Sequence, residues 1–212
     1  MRIVCFSDTH GMHRDIEIPD GDILIFAGDM CDLDESSDKL NFDRLIDFNA
    51  FLGELPHRHK VVVCGNHDWA FEKDPALAQS LMTNCIYLQD SGCEIEGLNF
   101  WGSPWQPYYG GWAFNLPRGD QLRNKWKKIP KNTDILVTHS PPKGIGDFIK
   151  PGRHEGCEDL LHAVLRIKPM LHVFGHIHED YGMNENADTT FVNASICNFD
   201  YEPINKAIVI EI

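Results

Sequence analysis

The run Val61-Val62-Val63-Cys64-Gly65-Asn66-His67-Asp68 decides how this chain is read. β-Branched residues that stop at Gly-Asn describe a buried strand ending in a tight turn, so the next polar side chains emerge at a sheet edge. In α/β proteins that edge is where ligands are held. Taken alone the stretch is equally well a plain loop after a strand, because short motifs arise by chance. Its meaning comes from the rest of the chain, where other apolar runs end in the same way.

Residues 2–6 lead into Ser7-Asp8-Thr9-His10-Gly11, and residues 22–27 (DILIFA), opened by the turn Pro19-Asp20-Gly21, close on Gly28-Asp29. Residues 134–138 deliver His139, and residues 171–174 deliver Gly175-His176-Ile177-His178. Unbroken hydrophobicity of this kind suits strands covered on both faces. On extended backbone, positions two apart point to one side, so Asp8 and His10, and likewise His176 and His178, are expected to face a common point. The spacing predicts helices over 38–55 (capped by Ser36 or Ser37, with Leu45, Phe48, Leu52 and Leu55 inward), 75–82 (capped by Asp74), 119–128 and 158–168. Short strands are expected over 86–88, 93–95, 98–101, 191–193 and 207–212. The acidic segment 32–38 reads as a solvated loop and helix start. Residues 102–112 form an aromatic, Gly- and Pro-rich loop in which Trp105, Tyr108 or Tyr109 could stack a nucleobase. A second loop, 143–156, is expected to overhang the same edge.

With 212 residues, 42% of them hydrophobic, one globular domain over 1–212 is expected. The net charge of -13 argues against an extended nucleic-acid or anionic-membrane surface, and an anionic substrate would need a local positive centre such as a metal ion. No run approaches the roughly 20 apolar residues of a membrane span, and residues 1–3 enter a strand rather than a signal peptide, so a cytoplasmic protein is expected. The seven cysteines are scattered singly and read as small buried thiols. Asn193-Ala194-Ser195 is a glycosylation acceptor pattern that matters only in a secreted protein. His172 reads as a packed core residue and His57, His59 and His162 as surface or helix-end groups, while His13 and His154 carry no assigned role.

The strand ends together present Asp8, His10, Asp29, Asn66 or His67, His139, His176 and His178. Imidazole, carboxylate and an amide oxygen without thiolate suit Mn, Fe or Zn better than a cysteine-type structural zinc site. The set is too large for one ion of four to six ligands, and it fits two ions sharing a carboxylate, with water completing each shell.

The series Asp8-Thr9-His10, Gly28-Asp29, Gly65-Asn66-His67-Asp68, Thr138-His139 and Gly175-His176-Ile177-His178 resembles, in content and order, the calcineurin-like metallophosphoesterase superfamily. Residues 102–107, 112–119 and 191–195 further resemble its metallophosphoesterase-domain-containing subgroup, related to class III cyclic-nucleotide phosphodiesterases. The resemblance implies two β-sheets packed face to face with helices outside, an α/β/β/α four-layer fold. It implies one divalent metal on Asp8, His10 and His178, a second on Asn66, His139 and His176, and Asp29 bridging both. Some members of the subgroup lack the first histidine of G-H-x-H; His176 is present here, so both sites are expected to be filled. His67 would serve the leaving group, and Asp68 would orient His67 as buried carboxylates orient imidazoles. The implied activity is hydrolysis of cyclic nucleotides or related small phosphodiesters by a hydroxide bridging two metals. Phosphomonoesterase or protein phosphatase, nuclease, and a nucleotide-binding scaffold with little turnover remain as alternatives, and a homo-oligomer is left open.

Overall fold

The computed structural model describes residues 1–32, 38–150 and 152–212, so the Ser36 or Ser37 cap and most of the acidic loop lie outside the described residues. Two sheets organise the rest. In the first, Ile208–Glu211, Arg2–Phe6, Ile23–Phe26, His59–Val62 and Ile86–Tyr87 lie side by side, with only the Ile208–Glu211 strand antiparallel to its neighbour. In the second the order is Gly182–Glu185, Thr190–Asn193, Leu171–Phe174, Ile135–Thr138, Leu98–Ser103 and Ser91–Ile95. Its inner pairings are parallel and its two outermost antiparallel.

Side-chain alternation assigns the layers. Ile3, Cys5, Ile23, Ile25, Val61 and Val63 of the first sheet meet Phe100, Ile135, Val137, Leu171, Val173 and Val192 of the second, so the sheets pack face to face. The opposite parity of the first sheet, Val4, Phe6, Leu24, Phe26 and Val62, is covered by Leu45, Phe48 and Leu52 of helix Asp38–Glu54 and by Phe71 and Ala78 of the short helices Ala70–Lys73 and Pro75–Leu81. The far face of the second sheet, with Leu136, Phe174 and Phe191, is covered by Leu122 and Trp126 of helix Asp120–Trp126 and by Leu160, Val164 and Ile167 of helix Glu158–Ile167. Both faces of each central strand are therefore buried, which is why these strands are written as continuous apolar runs.

Helix Pro75–Leu81 begins as expected, with the Asp74 carboxylate accepting from Leu77 N at 3.1 Å. Helix Glu158–Ile167 ends on Lys168 in the left-handed region (φ 56°), just before Pro169. The edge strand Gly182–Glu185 was not expected: Gly-Met-Asn-Glu carries no alternation of its own and is recruited by pairing with Thr190–Asn193. His57 departs from its surface assignment, being buried. His13 is likewise buried, on Asp47 at 3.0 Å, away from the strand-end cluster. All seven cysteines are unpaired; Cys85 and Cys93 are half-buried and the others buried. Among the described residues no helix is long and apolar enough to cross a membrane.

Phe48 is fully buried, its ring 4.5 Å from that of Phe26 and 6.4 Å from that of Phe6. Phe48→Ala is expected to cost about 3–5 kcal/mol, read as a lowered denaturant midpoint at unchanged slope. His172 is also fully buried, its Nε2 donating to Thr138 Oγ1 at 2.9 Å because that hydroxyl gives its own proton to Ser140 O. Burial pushes the His172 ring down to about 3. Below the unfolded value of about 6.5 the unfolded chain takes up a proton that the native state refuses, so stability falls as pH drops from there towards 3, by up to ~1.4 kcal/mol per pH unit. His172→Leu is expected to flatten that loss, measured as the change in denaturant midpoint between pH 7 and pH 5 against the wild type.

Candidate metal centre

Strands Arg2–Phe6, Ile23–Phe26 and His59–Val62 run parallel, so Asp8 and His10, Asp29, and Asn66 and His67 leave the first sheet at one edge. Strands Ile135–Thr138 and Leu171–Phe174 are parallel in the second sheet and release His139, His176 and His178 at their ends. The two edges are joined: Ser7 N donates to Ala194 O and Ile196 N to Ser7 O, both at 2.9 Å, in a parallel bridge between Ser7 and Ser195. This seam brings the two sets of side chains into one cluster.

Three groups of ligand atoms result: Asp8, His10 and His178; Asp29, His139 and His176; and His10, Asp29 and His67. The expectation that His176 and His178 face one point is corrected, because they divide between the first two groups. Asp8 and His10 do converge, though not on extended backbone. Asp8 (φ 53°), His10 (φ 43°), Asp29 (φ 60°) and His176 (φ 68°) all occupy the left-handed region. Asp and His tolerate that region better than most residues, yet each such position costs roughly 1–3 kcal/mol and persists only where the surroundings enforce it.

The glycines of the motifs are explained by space. A methyl group at Gly175 would run into Asp8 Oδ2 and Ser7 Oγ, and one at Gly65 into Asp29 Oδ1. Gly28 combines a positive φ of 107° with the same crowding, 2.5 Å from His139 Nδ1 and 2.7 Å from Gly65 N.

Hydrogen bonds then fix which atoms face the cluster. Asp8 Oδ2 accepts from Ser7 Oγ (2.5 Å), Ser195 Oγ (3.0 Å) and His176 N (3.1 Å), leaving Oδ1 3.4 Å from His178 Nε2. Asp29 Oδ1 accepts from His67 N at 2.8 Å, while Oδ2 lies 3.3 Å from His139 Nε2, 3.9 Å from His67 Nε2 and 4.0 Å from His10 Nε2. His139 Nδ1 donates to Ala27 O and His178 Nδ1 to Asn198 O, each at 2.9 Å, so in the neutral rings both Nε2 atoms carry the lone pair. His139 Nε2 nevertheless sits 2.9 Å from the acceptor Asn66 Oδ1, and His178 Nε2 sits 3.3 Å from His10 Nε2. Lone pairs that converge in this way need a proton or a cation between them. Nitrogen and oxygen donors without sulfur fit a borderline or hard divalent ion.

The electrostatics agree. Burial opposes ionisation of Asp8 and Asp29, but His178 beside Asp8 and His139 beside Asp29 hold both carboxyls well below the usual carboxylate range. Burial likewise opposes charging of His139, and Asp29 overrides it, raising the ring to about 9. His10 and His176, where burial dominates, fall to about 4 and about 3. The Asp8 carboxylate likewise outweighs burial at His178 and raises it, so the buried negative charge favours the charged forms of His139 and His178 while His10 and His176 stay neutral.

Asp68 corrects the expectation that it orients His67. Its carboxylate accepts from the amides of Gly65 (2.7 Å), Asp29 (3.0 Å), Met30 (3.0 Å) and Cys31 (3.1 Å), and His67 Nδ1 is buried without a partner. Asp68 pins the loop that carries Asp29 to the turn that carries Asn66.

The cluster floors a cleft of about 940 Å³. Trp112 covers His67 with ring centroids 4.2 Å apart, and Tyr108, Tyr109, Phe199 and Tyr201 also line the walls. Loop 143–156 overhangs it through Ile149, Lys150, Arg153 and Glu155, whereas His154 is held on Asp147 at 2.6 Å, outside the lining. Trp105 is not among the lining residues; its Nε1 donates to Asp90 at 3.1 Å and Lys125 lies 3.5 Å over its ring, so it packs instead of presenting a face to ligand. Ser7, Ser195, Asn198 and Tyr201 carry no sequence signal of their own, although Ser195 lies in the stretch that resembles the subgroup.

Comparison with known proteins gives the family and the fold. Residues 1–180 match the family model of the calcineurin-like phosphoesterases. The chain is 44% identical, over 236 aligned positions, to metallophosphoesterase domain-containing protein 1 of Homo sapiens and to its namesake in Mus musculus, covering 100% of this chain and 71% of each relative. Among solved structures, the protein TT1561 of Thermus thermophilus shares the fold, with a TM-score of 0.57 at 14% identity over 91% of this chain and 88% of that one. With its candidate ligands gathered at the joined edge of two sheets, the chain belongs to the calcineurin-like phosphoesterase family.

Proposed function

We propose that this protein hydrolyses small phosphodiesters, cyclic nucleotides foremost, at two divalent metal ions, with Mn, Fe or Zn each compatible with the donor set. The observation that carries the proposal is Asp29 Oδ2, which lies 3.3 Å from His139 Nε2, in the group with His176, and 4.0 Å from His10 Nε2, in the group with Asp8 and His178. One carboxylate oxygen so placed suits a bridge between Asp8, His10 and His178 on one side and Asn66, His139 and His176 on the other. Such ions, when bound, supply Lewis-acid neutralisation of phosphoryl charge and lower the pKa of water.

The protein's own groups supply the rest. His67 lines the cleft next to Asp29, with Trp112 against its ring, so as the imidazolium it can hold a proton at Nε2 for the departing alkoxide. Ser7 and Ser195 keep Asp8 oriented, and the carbonyls of Ala27 and Asn198 keep His139 and His178 in the tautomer that leaves Nε2 free. A diester is favoured over a monoester because the basic groups on the cleft wall are few and partly neutralised: Arg153 and Arg118 lie 3.4 and 3.7 Å from the Glu155 carboxylate. The cleft volume is of the size that takes a nucleotide-sized ligand. Unpaired thiols throughout support a reducing compartment, the cytoplasm.

Metal-loaded protein is expected to hydrolyse bis-p-nitrophenyl phosphate and 2′,3′- or 3′,5′-cyclic nucleotides faster than p-nitrophenyl phosphate, and to lose activity on chelation. Preference for the monoester would make the protein a phosphomonoesterase; tight nucleotide binding without turnover would make it a scaffold. His67→Ala is expected to keep its metal and lose about 10²–10⁴-fold in turnover, whereas Asn66→Ala lowers metal content. Gly175→Ala, by displacing Asp8, is expected to lose metal while the far-ultraviolet circular dichroism stays native. Both are checked by elemental analysis alongside rate measurements.

A further inference from the structure

Among the described residues the three most exposed large apolar side chains, Tyr109 (73%), Phe199 (68%) and Tyr108 (66%), all line this one cleft. Exposed aromatic surface gathered around a polar cluster marks a binding wall. The most constrained part of that wall is the turn 198–202. Asn198 Oδ1 accepts from Asp200 N (3.0 Å) and Glu202 N (2.9 Å), and its Nδ2 donates to Glu202 Oε2 at 2.9 Å. The Asn198 carbonyl accepts twice, from Tyr201 N at 3.0 Å and from His178 Nδ1 at 2.9 Å. One carbonyl thus ties the turn to a metal-ligand imidazole.

Tyr201 sits in the left-handed region at φ 59°, a conformation that is an outlier for a bulky side chain. The turn enforces it and thereby sets the ring nearly perpendicular to those of His10 (centroids 5.0 Å, 74°) and His178 (5.1 Å, 75°). Filling space does not account for this arrangement. The residue remains 39% exposed, and among the described residues its hydroxyl makes no hydrogen bond. The turn holds a flat aromatic face at the rim of the ligand cluster, within a nucleotide's length of it, with Phe199 exposed beside it.

We propose that the turn 198–202 is a recognition element in which Tyr201, aided by Phe199, stacks the planar base of a nucleotide whose phosphoryl group is held at the metal-ligand cluster. The inference deepens the phosphodiesterase reading by assigning the base subsite to residues outside all of the metal-binding motifs. Tyr201 is a specificity-determining residue that touches substrate away from the reacting bond.

The test is calorimetric titration of manganese-loaded protein with adenosine 5′-monophosphate and with ribose 5-phosphate, which differ only in the base. The wild type is expected to bind the nucleotide about tenfold more tightly, within the span of one base–aromatic stack. Tyr201→Ala is expected to abolish most of that preference, leaving ribose 5-phosphate affinity within twofold and manganese content unchanged, while Tyr201→Phe retains it. Phe199→Ala, at a position too exposed to affect folding, is expected to reduce the preference about threefold. Equal affinity of the wild type for the two probes, binding of neither, or a parallel loss of both in Tyr201→Ala would overturn the inference. Hydrolysis of bis-p-nitrophenyl phosphate by the same preparation separates the two claims. Turnover without a base preference removes the recognition element alone, and a Tyr201-dependent preference without turnover removes the phosphodiesterase reading alone.

Discussion

Two buried carboxylates set the terms for this structure. Asp8 and Asp29 are 0% and 2% exposed, and a carboxylate withdrawn from water that far is tolerated only when charge and hydrogen bonds compensate it. The compensation comes from both sheets: hydroxyls of Ser7 and Ser195 and an amide of His176 on Asp8, the amide of His67 and the imidazole of His139 on Asp29. Because those partners lie far apart in the chain, the carboxylates can be buried only if the sheets meet at this edge. The Ser7–Ser195 bridge is where they do.

The same requirement explains the local irregularities. Backbone at Asp8, His10, Asp29 and His176 is left-handed, and the side chains of all four belong to the candidate ligand groups. Glycine precedes Asp29, Asn66 and His176 because a Cβ there would occupy the volume of His139, Asp29 or Asp8. Asp68, receiving four backbone amides, stabilises two of these irregular loops against each other. Backbone strain, glycine and a buried carboxylate are three parts of one device for packing many polar donors into a small volume.

Aromatic residues of the cleft divide by the same logic. Trp105, in the middle of a loop rich in rings, is drawn out of the cleft by Asp90 and Lys125. Tyr201, outside that loop, is carried into it by a turn tied to His178. The aromatic loop does put Tyr108, Tyr109 and Trp112 in the cleft lining, but Trp105 shows that hydrogen bonds to residues far away in sequence decide which individual ring faces it.

What the sequence by itself determined is the set of strand ends and what they carry. Runs such as residues 22–27 and 134–138 are apolar without alternation because both faces are covered, and the Gly-Asp, Gly-Asn and Thr-His that close them are local signals readable without a partner. The edge strand Gly182–Glu185 was not legible, because its register is borrowed from Thr190–Asn193. Only the tertiary structure decided that His176 and His178 separate into different groups, that Asp68 turns from its neighbour His67 to the loop of Asp29, and that Asn198 governs both His178 and Tyr201. Each of these depends on a left-handed φ or on a hydrogen bond between residues of different chain segments. Pattern along a chain reports which face a residue prefers, whereas these choices are settled by which distant atom is there to meet it.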